Sequence, residues 1–154
     1  MRIINRTKLP KKLVHELINS ISGKLSKYIK TVIIRHDKNW VCGGYYYYKE
    51  GKIVLTIGTP DEYPIYTTRQ NDKFGYLKFY IRNDIESLIF LASHEIRHIF
   101  HLKISKQNWY KNAKMIDMEK DGEEILWSYK AERDADKFAI KGIKKYRETI
   151  KPHR

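Results

Sequence analysis

The sequence predicts a single α+β domain over residues 1–154, in which a small three- to four-stranded mixed or antiparallel sheet packs on a central helix. Two segments with apolar residues every three or four positions indicate long helices, one central and one near the C-terminus. Runs of β-branched and aromatic residues between positions 31 and 57 indicate the strands. A hydrophobic content of 42% is enough to build one core, which excludes a disordered or fibrous chain.

The N-terminal third of the chain predicts one helix followed by three strands. Pro10 and the spacing of the apolar residues after it are typical of an amphipathic helix that ends near Gly23 or one turn later. The strands are expected at 31–34, 40–48 and 52–57, paired in sequence order as a meander. Glu50 and Gly51 are expected to form a two-residue hairpin turn, because glycine supplies the positive φ that such turns require.

The middle of the chain predicts a loop, a short strand and the central helix. Residues 59–75 contain two prolines and are expected to form a loop, and residues 76–82 are expected to form a fourth strand. Asn83 is a suitable helix N-cap, with Glu86 three positions later. Apolar residues at helical spacing then continue the helix to about Lys103.

The C-terminal part of the chain predicts a long loop and a last helix. Residues 105–120 are polar and aperiodic, which favours a loop, and loops of this length are usually functional or mobile. By the same capping logic, residues 121–124 are expected to open a helix that runs to about Thr149. On that helix, Asp134 is expected to be a solvated surface charge.

Charge and composition limit the partners and the location of the protein. The 31 lysine and arginine residues against 18 acidic residues give a formal charge of +13, which predicts weak, non-specific nucleic-acid binding unless the excess is only compositional. No apolar run approaches the ~20 residues of a membrane span, and the N-terminus lacks the apolar stretch of a secretion signal. We therefore expect no membrane span and a cytoplasmic location, with the single cysteine, Cys42, as a structural thiol.

One motif in the central helix is typical of metal-binding sites: His94-Glu95-Ile96-Arg97-His98. At 100° per residue the two histidines lie about 40° apart on one helix face, so both can bind the same metal ion. Zn²⁺ accepts imidazole nitrogen and, in catalytic sites, keeps one position for water, so the pair needs a third protein ligand. Glu95 would then be the base that acts on that water.

Two sets of residues can complete the metal site. His101 returns to the same helix face, but three ligands on one straight helix would span about 10 Å, so His101 is better suited to contact the substrate or to support a ligand. Glu132 and Asp136 lie four residues apart on the face of the last helix that is expected to be buried. Two buried carboxylates are satisfied if one binds the metal and the other accepts a histidine N–H.

The HExxH motif followed on a later helix by Glu132-x-x-x-Asp136 resembles the gluzincin metallopeptidases, in which the third zinc ligand is a glutamate. The stretch 132–139 is similar to the glutamate helix of small gluzincins, including the ImmA/IrrE-type peptidases. The resemblance covers the two motif helices and, through the order of the elements, about residues 30–145. It implies the following roles: His94, His98 and Glu132 as zinc ligands, Glu95 as general base and acid, and Asp136 as the carboxylate that orients a ligand histidine.

The resemblance implies a zinc-dependent peptidase that hydrolyses peptide or protein substrates with a metal-activated water and Glu95. Arg97 stands where ImmA/IrrE-type enzymes commonly have glycine, and no helix-turn-helix domain is recognisable, so cleavage of a repressor is not implied. The alternative is a basic nucleic-acid-associated protein with a structural or inactive zinc site. A third hypothesis combines the two as a protease that acts on DNA-bound proteins.

The sequence offers several candidate residues for contact with the substrate. His101, Tyr110 and Tyr129 are each candidates to donate a hydrogen bond to the oxyanion of the transition state, and the sequence does not choose among them. The resemblance also implies that the peptide adds as a strand to the sheet edge above the central helix. Strand 52–57 is the candidate for that edge, which requires that it pairs on one side only.

Overall fold

The fold is α+β, as the sequence predicts. The structure is a computed structural model that describes residues 1–36, 43–58, 63–69, 77–105, 114–118, 122–126 and 129–150. These residues form three α-helices, a four-stranded mixed sheet and two separate two-stranded antiparallel sheets.

The four-stranded sheet has a different strand order from the predicted meander. Its strands are β1 (Arg2–Asn5), β2 (Thr31–His36), β3 (Gly43–Tyr47) and β4 (Lys52–Ile57), in the order β1-β2-β4-β3. β4 runs parallel to β2 and antiparallel to β3, so it is the strand between them. Residues 53–57 of β4 are all buried. Such a continuous buried run is typical of a central strand that is covered on both faces.

The position of β4 contradicts the docking hypothesis for strand 52–57. Both of its backbone edges are hydrogen-bonded, one to β2 and the other to β3, so no peptide can add to it. The edge strands of this sheet are β1 and β3. β1 was not predicted, because four residues show no clear pattern and their partner, β2, lies far along the chain.

The hairpin between β3 and β4 has a longer turn than predicted. Tyr47 pairs with Lys52, so four residues, 48–51, connect the strands rather than two. Gly51 does supply a positive φ, of 61°. A Cβ atom at this position would also lie 3.1 Å from the carbonyl oxygen of Tyr28, so the turn needs glycine for space as well as for conformation.

The first two helices form where the sequence predicts them. α1 (Lys11–Ser22) follows Pro10 and continues into a 3-10 helix over Gly23–Tyr28. α2 (Asp84–Lys103) begins after Asn83, whose side-chain oxygen accepts a hydrogen bond of 3.0 Å from the backbone N–H of Glu86. The predicted N-cap of the central helix is therefore confirmed.

Both predicted loops in the second half of the chain contain a strand. β5 (Ile65–Arg69) lies within the predicted loop 59–75 and pairs with β6 (Leu77–Ile81), which matches the strand expected at 76–82. β7 (Lys114–Met118) lies within the predicted loop 105–120 and pairs with β8 (Gly122–Leu126).

The last helix begins later than predicted. α3 spans Tyr129–Thr149, whereas residues 122–126 form β8 instead of the first helical turn. The acidic residues at 121–124 fit a helix N-terminus locally, but the backbone there pairs in register with β7. Pairing with a strand that was not expected therefore overrides the local capping signal.

α2 is the centre of the fold. It packs against α1, α3, β3 and β4, and most of its residues are buried. Among the largest fully buried side chains are Ile18, Ile34, Ile53, Leu55, Ile57, Ile81, Leu88, Ile99 and Ile143. In the described part of the chain, no helix combines the length and apolarity that crossing a membrane requires.

A buried ion pair joins the start of α2 to the end of α3. The Glu86 side chain is 2% exposed, and its two carboxylate oxygens accept hydrogen bonds of 2.7 and 2.6 Å from Nε and Nη2 of Arg147. Burial of Glu86 favours its neutral form, but the hydrogen bonds from Arg147 and from the backbone N–H of Arg82 hold its pKa below the usual value. This pair fixes the relative position of the two helices that carry the motif residues.

We expect Arg147→Gln to lower the free energy of unfolding by about 2–3 kcal/mol at neutral pH, because it leaves Glu86 buried without its cation. Because the folded pKa of Glu86 is depressed, the contribution of the pair is complete above the unfolded pKa of about 4.3 and declines as the pH falls through the folded pKa. The difference between the variant and the wild type should therefore shrink in acid. Urea unfolding at several pH values measures this, with the exposed Lys145→Gln as the control, and an equal deficit at all pH values would contradict it.

Candidate metal centre

α2 places the two motif histidines one above the other on a buried face. His94 is 8% exposed and His98 is 2% exposed, and their ring centroids lie 4.6 Å apart. Their Nε2 atoms are separated by 3.0 Å, so both point to the same place. This is the arrangement that the spacing of four residues predicts for a helix.

α3 brings Glu132 to the same place. Its Oε1 atom lies 3.1 Å from Nε2 of His98, and its Oε2 atom lies 3.5 Å from Nε2 of His94. Within the described residues, His94, His98 and Glu132 form a group whose ligand atoms all lie within 4.8 Å of one another. This group can hold a metal ion.

The separations among these atoms suit a small divalent cation. A tetrahedral zinc ion with ligand bonds of about 2.0–2.1 Å requires its ligand atoms to lie roughly 3.3–3.4 Å apart. The distances of 3.0, 3.1 and 3.5 Å between the two nitrogens and the carboxylate oxygens are close to that requirement.

Asp136, one turn after Glu132 on α3, contacts His94 through the ring nitrogen that does not face Glu132. Its Oδ1 atom lies 2.9 Å from Nδ1 of His94, and the residue is 4% exposed. A histidine that donates its Nδ1–H to a carboxylate keeps the lone pair of Nε2 available for a metal. The contact therefore fixes both the ring orientation and the tautomer that a ligand needs.

The protonation of the three groups reflects their close packing. Burial disfavours a charged His94, but the hydrogen bonds to Asp136 and Glu132 outweigh burial and raise its pKa to about 10. Burial lowers the pKa of His98 to about 4, despite the opposing hydrogen bond to Glu132. Burial alone would raise the pKa of Glu132, but its contacts with both histidines hold it well below the usual range. At neutral pH without a metal ion, Glu132 is therefore ionised and His94 carries both ring protons, so a metal ion that binds here must displace the Nε2 proton of His94.

Glu95 is buried between α2 and the edge strand β3. The residue is 5% exposed, and its negative charge is close enough to contribute to the raised pKa of His94. A Cβ atom built on Gly44 of β3 would lie 2.6 Å from Oε1 and 2.9 Å from Cγ of Glu95. Only glycine at position 44 therefore leaves room for the Glu95 side chain in this position.

Gly44→Ala should displace the Glu95 carboxylate without removing any metal-binding atom. If Glu95 acts on a metal-bound water, a displacement of about 1 Å is expected to lower kcat/KM for a peptide by roughly 10²-fold. Zinc affinity should stay within a few fold of the wild-type value. Gly43→Ala, on the opposite face of β3, is the matched control. Equal activity of the two variants would show that Gly44 does not position Glu95.

A second cluster lies beside the group and was partly missed from the sequence. Asp134 does not act as a solvated surface charge, because its Oδ2 atom lies 2.6 Å from Nε of Arg97 and 2.9 Å from Nε2 of His101. Burial of Asp134 favours its neutral form, but the bond from Arg97 holds its pKa below the usual value. Arg97 and His101 are four residues apart on α2, and this spacing was the available signal that both face α3.

The residues predicted to contact the substrate lie outside the metal-binding group or outside the described residues. His101 is fully buried, and the centroids of its ring and the His98 ring lie 5.7 Å apart. It is not part of the metal-binding group. Tyr129 is the first residue of α3, three positions before Glu132. Tyr110 and Cys42 lie outside the described residues, so their proposed roles stay predictions.

No protein-family model, curated protein or solved structure matches this chain. The resemblance to gluzincins therefore rests on the motif residues and the order of the elements. The described geometry adds that the two motifs lie close together, because residues from α2 and α3 form one group that can hold a metal ion.

Proposed function

We propose that the protein is a zinc-dependent peptidase of the gluzincin type that acts in the cytoplasm on peptide or protein substrates. The observation that carries the proposal is the convergence of His94, His98 and Glu132, with the Glu95 side chain buried beside them. Two of these residues belong to HExxH and the third comes from a helix more than 30 residues later. Such a convergence is expected if the two motifs serve one site.

The set of ligand atoms favours zinc over other common cations. Two imidazole nitrogens and one carboxylate are the ligands of catalytic zinc sites, whereas Mg²⁺ and Ca²⁺ prefer oxygen ligands alone. Structural zinc sites usually have four protein ligands, and the described residues supply three. A fourth position would then be available for water, as hydrolysis requires.

In the proposed reaction, a bound zinc ion supplies a Lewis acid that polarises the scissile carbonyl and lowers the pKa of a water molecule. Glu95 accepts a proton from that water, whose oxygen forms the new bond to the carbonyl carbon. Glu95 then donates the proton to the nitrogen of the leaving amine as the C–N bond breaks. Asp136 holds His94 in the tautomer and orientation that a ligand needs.

Digestion of casein or a peptide library by protein purified without chelator tests this proposal. We expect cleavage that a zinc chelator abolishes and that added zinc restores. A protein that holds zinc but cuts no peptide would favour the alternative, a nucleic-acid-associated protein with a structural or inactive zinc site. The net charge of +13 is the observation that favours this second function.

A further inference from the structure

The charges of α3 are divided between its two faces. Its first three acidic residues are directed toward α2, where Glu132 and Asp136 contact the motif histidines and Asp134 contacts Arg97. In the described helix, Glu148 near the C-terminal end is the one exposed acidic residue. Among the exposed residues of α3, basic side chains therefore outnumber acidic ones.

Five basic residues follow one another along the outward face of α3 at spacings of three or four residues. We call this set the basic stripe; it consists of Lys130, Arg133, Lys137, Lys141 and Lys144. Its four lysines are exposed, and Arg133 is half-buried. At 100° and 1.5 Å per residue, the stripe is confined to about 80° of the helix circumference and extends over about 21 Å.

The surroundings of the basic stripe favour a polyanion over a membrane. A helix that lies in a membrane surface needs a free apolar face. The apolar face of α3 is buried, through Ala131, Ala135, Ala139 and Ile143. Phe138 is 40% exposed, but it lies at the rim of the stripe, where the Arg97 guanidinium is 5.2 Å from its ring centroid.

We propose that the basic stripe binds the phosphate backbone of double-stranded nucleic acid without preference for base sequence. A row of cations about 21 Å long lies within reach of several phosphates on a duplex, which carries one negative charge per about 1.7 Å of its axis. Single strands are usually bound through several stacked aromatic side chains, and the described outward face of α3 has one at its rim. The stripe faces away from the metal centre, so nucleic acid and a peptide substrate can be bound together. The inference does not depend on whether the metal centre is catalytic.

The affinity of the full-length protein for a labelled duplex of about 20 base pairs, measured by fluorescence anisotropy at several salt concentrations, tests the proposal. With phosphate contacts from Lys137, Lys141 and Lys144, the log-log slope of the binding constant against salt should be at least as steep as about −2.7. The triple variant Lys137→Gln, Lys141→Gln, Lys144→Gln should reduce the slope by roughly 2.7 units and weaken binding on the order of 10²-fold at ~0.1 M salt. Glutamine keeps helix propensity, and circular dichroism checks the fold.

The matched control removes three exposed lysines from the N-terminal region: Lys8→Gln, Lys12→Gln and Lys24→Gln. Its net charge equals that of the triple variant, so it should keep most of the affinity and slope. Equal losses in both variants would show that overall charge, and not the stripe, binds the duplex. Absence of duplex binding in low salt would also overturn the proposal. So would binding only to vesicles of phosphatidylcholine and phosphatidylserine, because the stripe would then serve a membrane.

Discussion

Glu95→Gln is expected to abolish most peptide hydrolysis and to leave the metal in place. The amide has nearly the same shape as the carboxylate, so it fits in the space beside Gly44, but it cannot accept the proton of the attacking water. The loss in kcat/KM should be at least about 10²–10⁴-fold, the range of general acid–base catalysis. Steady-state kinetics on a peptide identified from the library, with the zinc content of the same sample, measures both parts.

Glu16→Gln is the control for this variant, because Glu16 is exposed on α1 and no role in the site is proposed for it. It should have wild-type activity and zinc content. If Glu95→Gln also kept its activity within a few fold of wild type, Glu95 would not be the base. If it lost zinc as well as activity, Glu95 would act on the metal site itself and not on the water.

Glu132→Ala is expected to weaken zinc binding more than any other single change on α3. It removes a carboxylate that contacts both histidine Nε2 atoms, at 3.1 and 3.5 Å. Asp136→Asn should weaken binding by the smaller factor of about 10–100 that is typical of residues that support a ligand. The loss in Glu132→Ala should exceed that range. Competition with a chromophoric chelator gives the affinities.

Glu148→Ala is the matched control on the same helix, since Glu148 is an exposed glutamate near its C-terminal end. It should bind zinc like the wild type. The opposite pattern, in which Glu132→Ala keeps full zinc occupancy and His101→Ala empties the site, would replace the gluzincin assignment with a site of three histidines. Circular dichroism of each variant separates loss of a ligand from loss of the fold.

The parts of the fold that follow from local sequence were predicted correctly. α1 and α2 have a clear start signal and regular apolar spacing, and both begin where expected. The pairing of strands depends on residues far apart in the chain, and here the prediction was wrong: β4 is central, and β8 replaces the expected first turn of the last helix. The near-continuous apolar run Ile53–Ile57 was the available signal that β4 is covered on both faces and central, but that run does not show which strands pair with its two edges.

The metal-binding group could be predicted because each of its two parts lies within a single helix. Helical geometry brings His94 and His98 together, and it places Glu132 and Asp136 on one face of α3. The environment of Asp134 was predicted wrongly, because the reach of Arg97 from α2 depends on how the two helices pack. The close approach of Gly44 to Glu95 depends in the same way on where β3 lies, and no motif indicates it.

X-ray absorption at the zinc edge, on protein purified without chelator, distinguishes an open site of two histidines and one glutamate from a closed structural site. The open site predicts one zinc ion per chain with only nitrogen and oxygen neighbours, at about 2.0–2.2 Å. A zinc–sulfur distance of about 2.3 Å would make Cys42 a ligand and favour a structural site. A sulfur neighbour, or no zinc in a folded protein, would contradict the proposed metal centre.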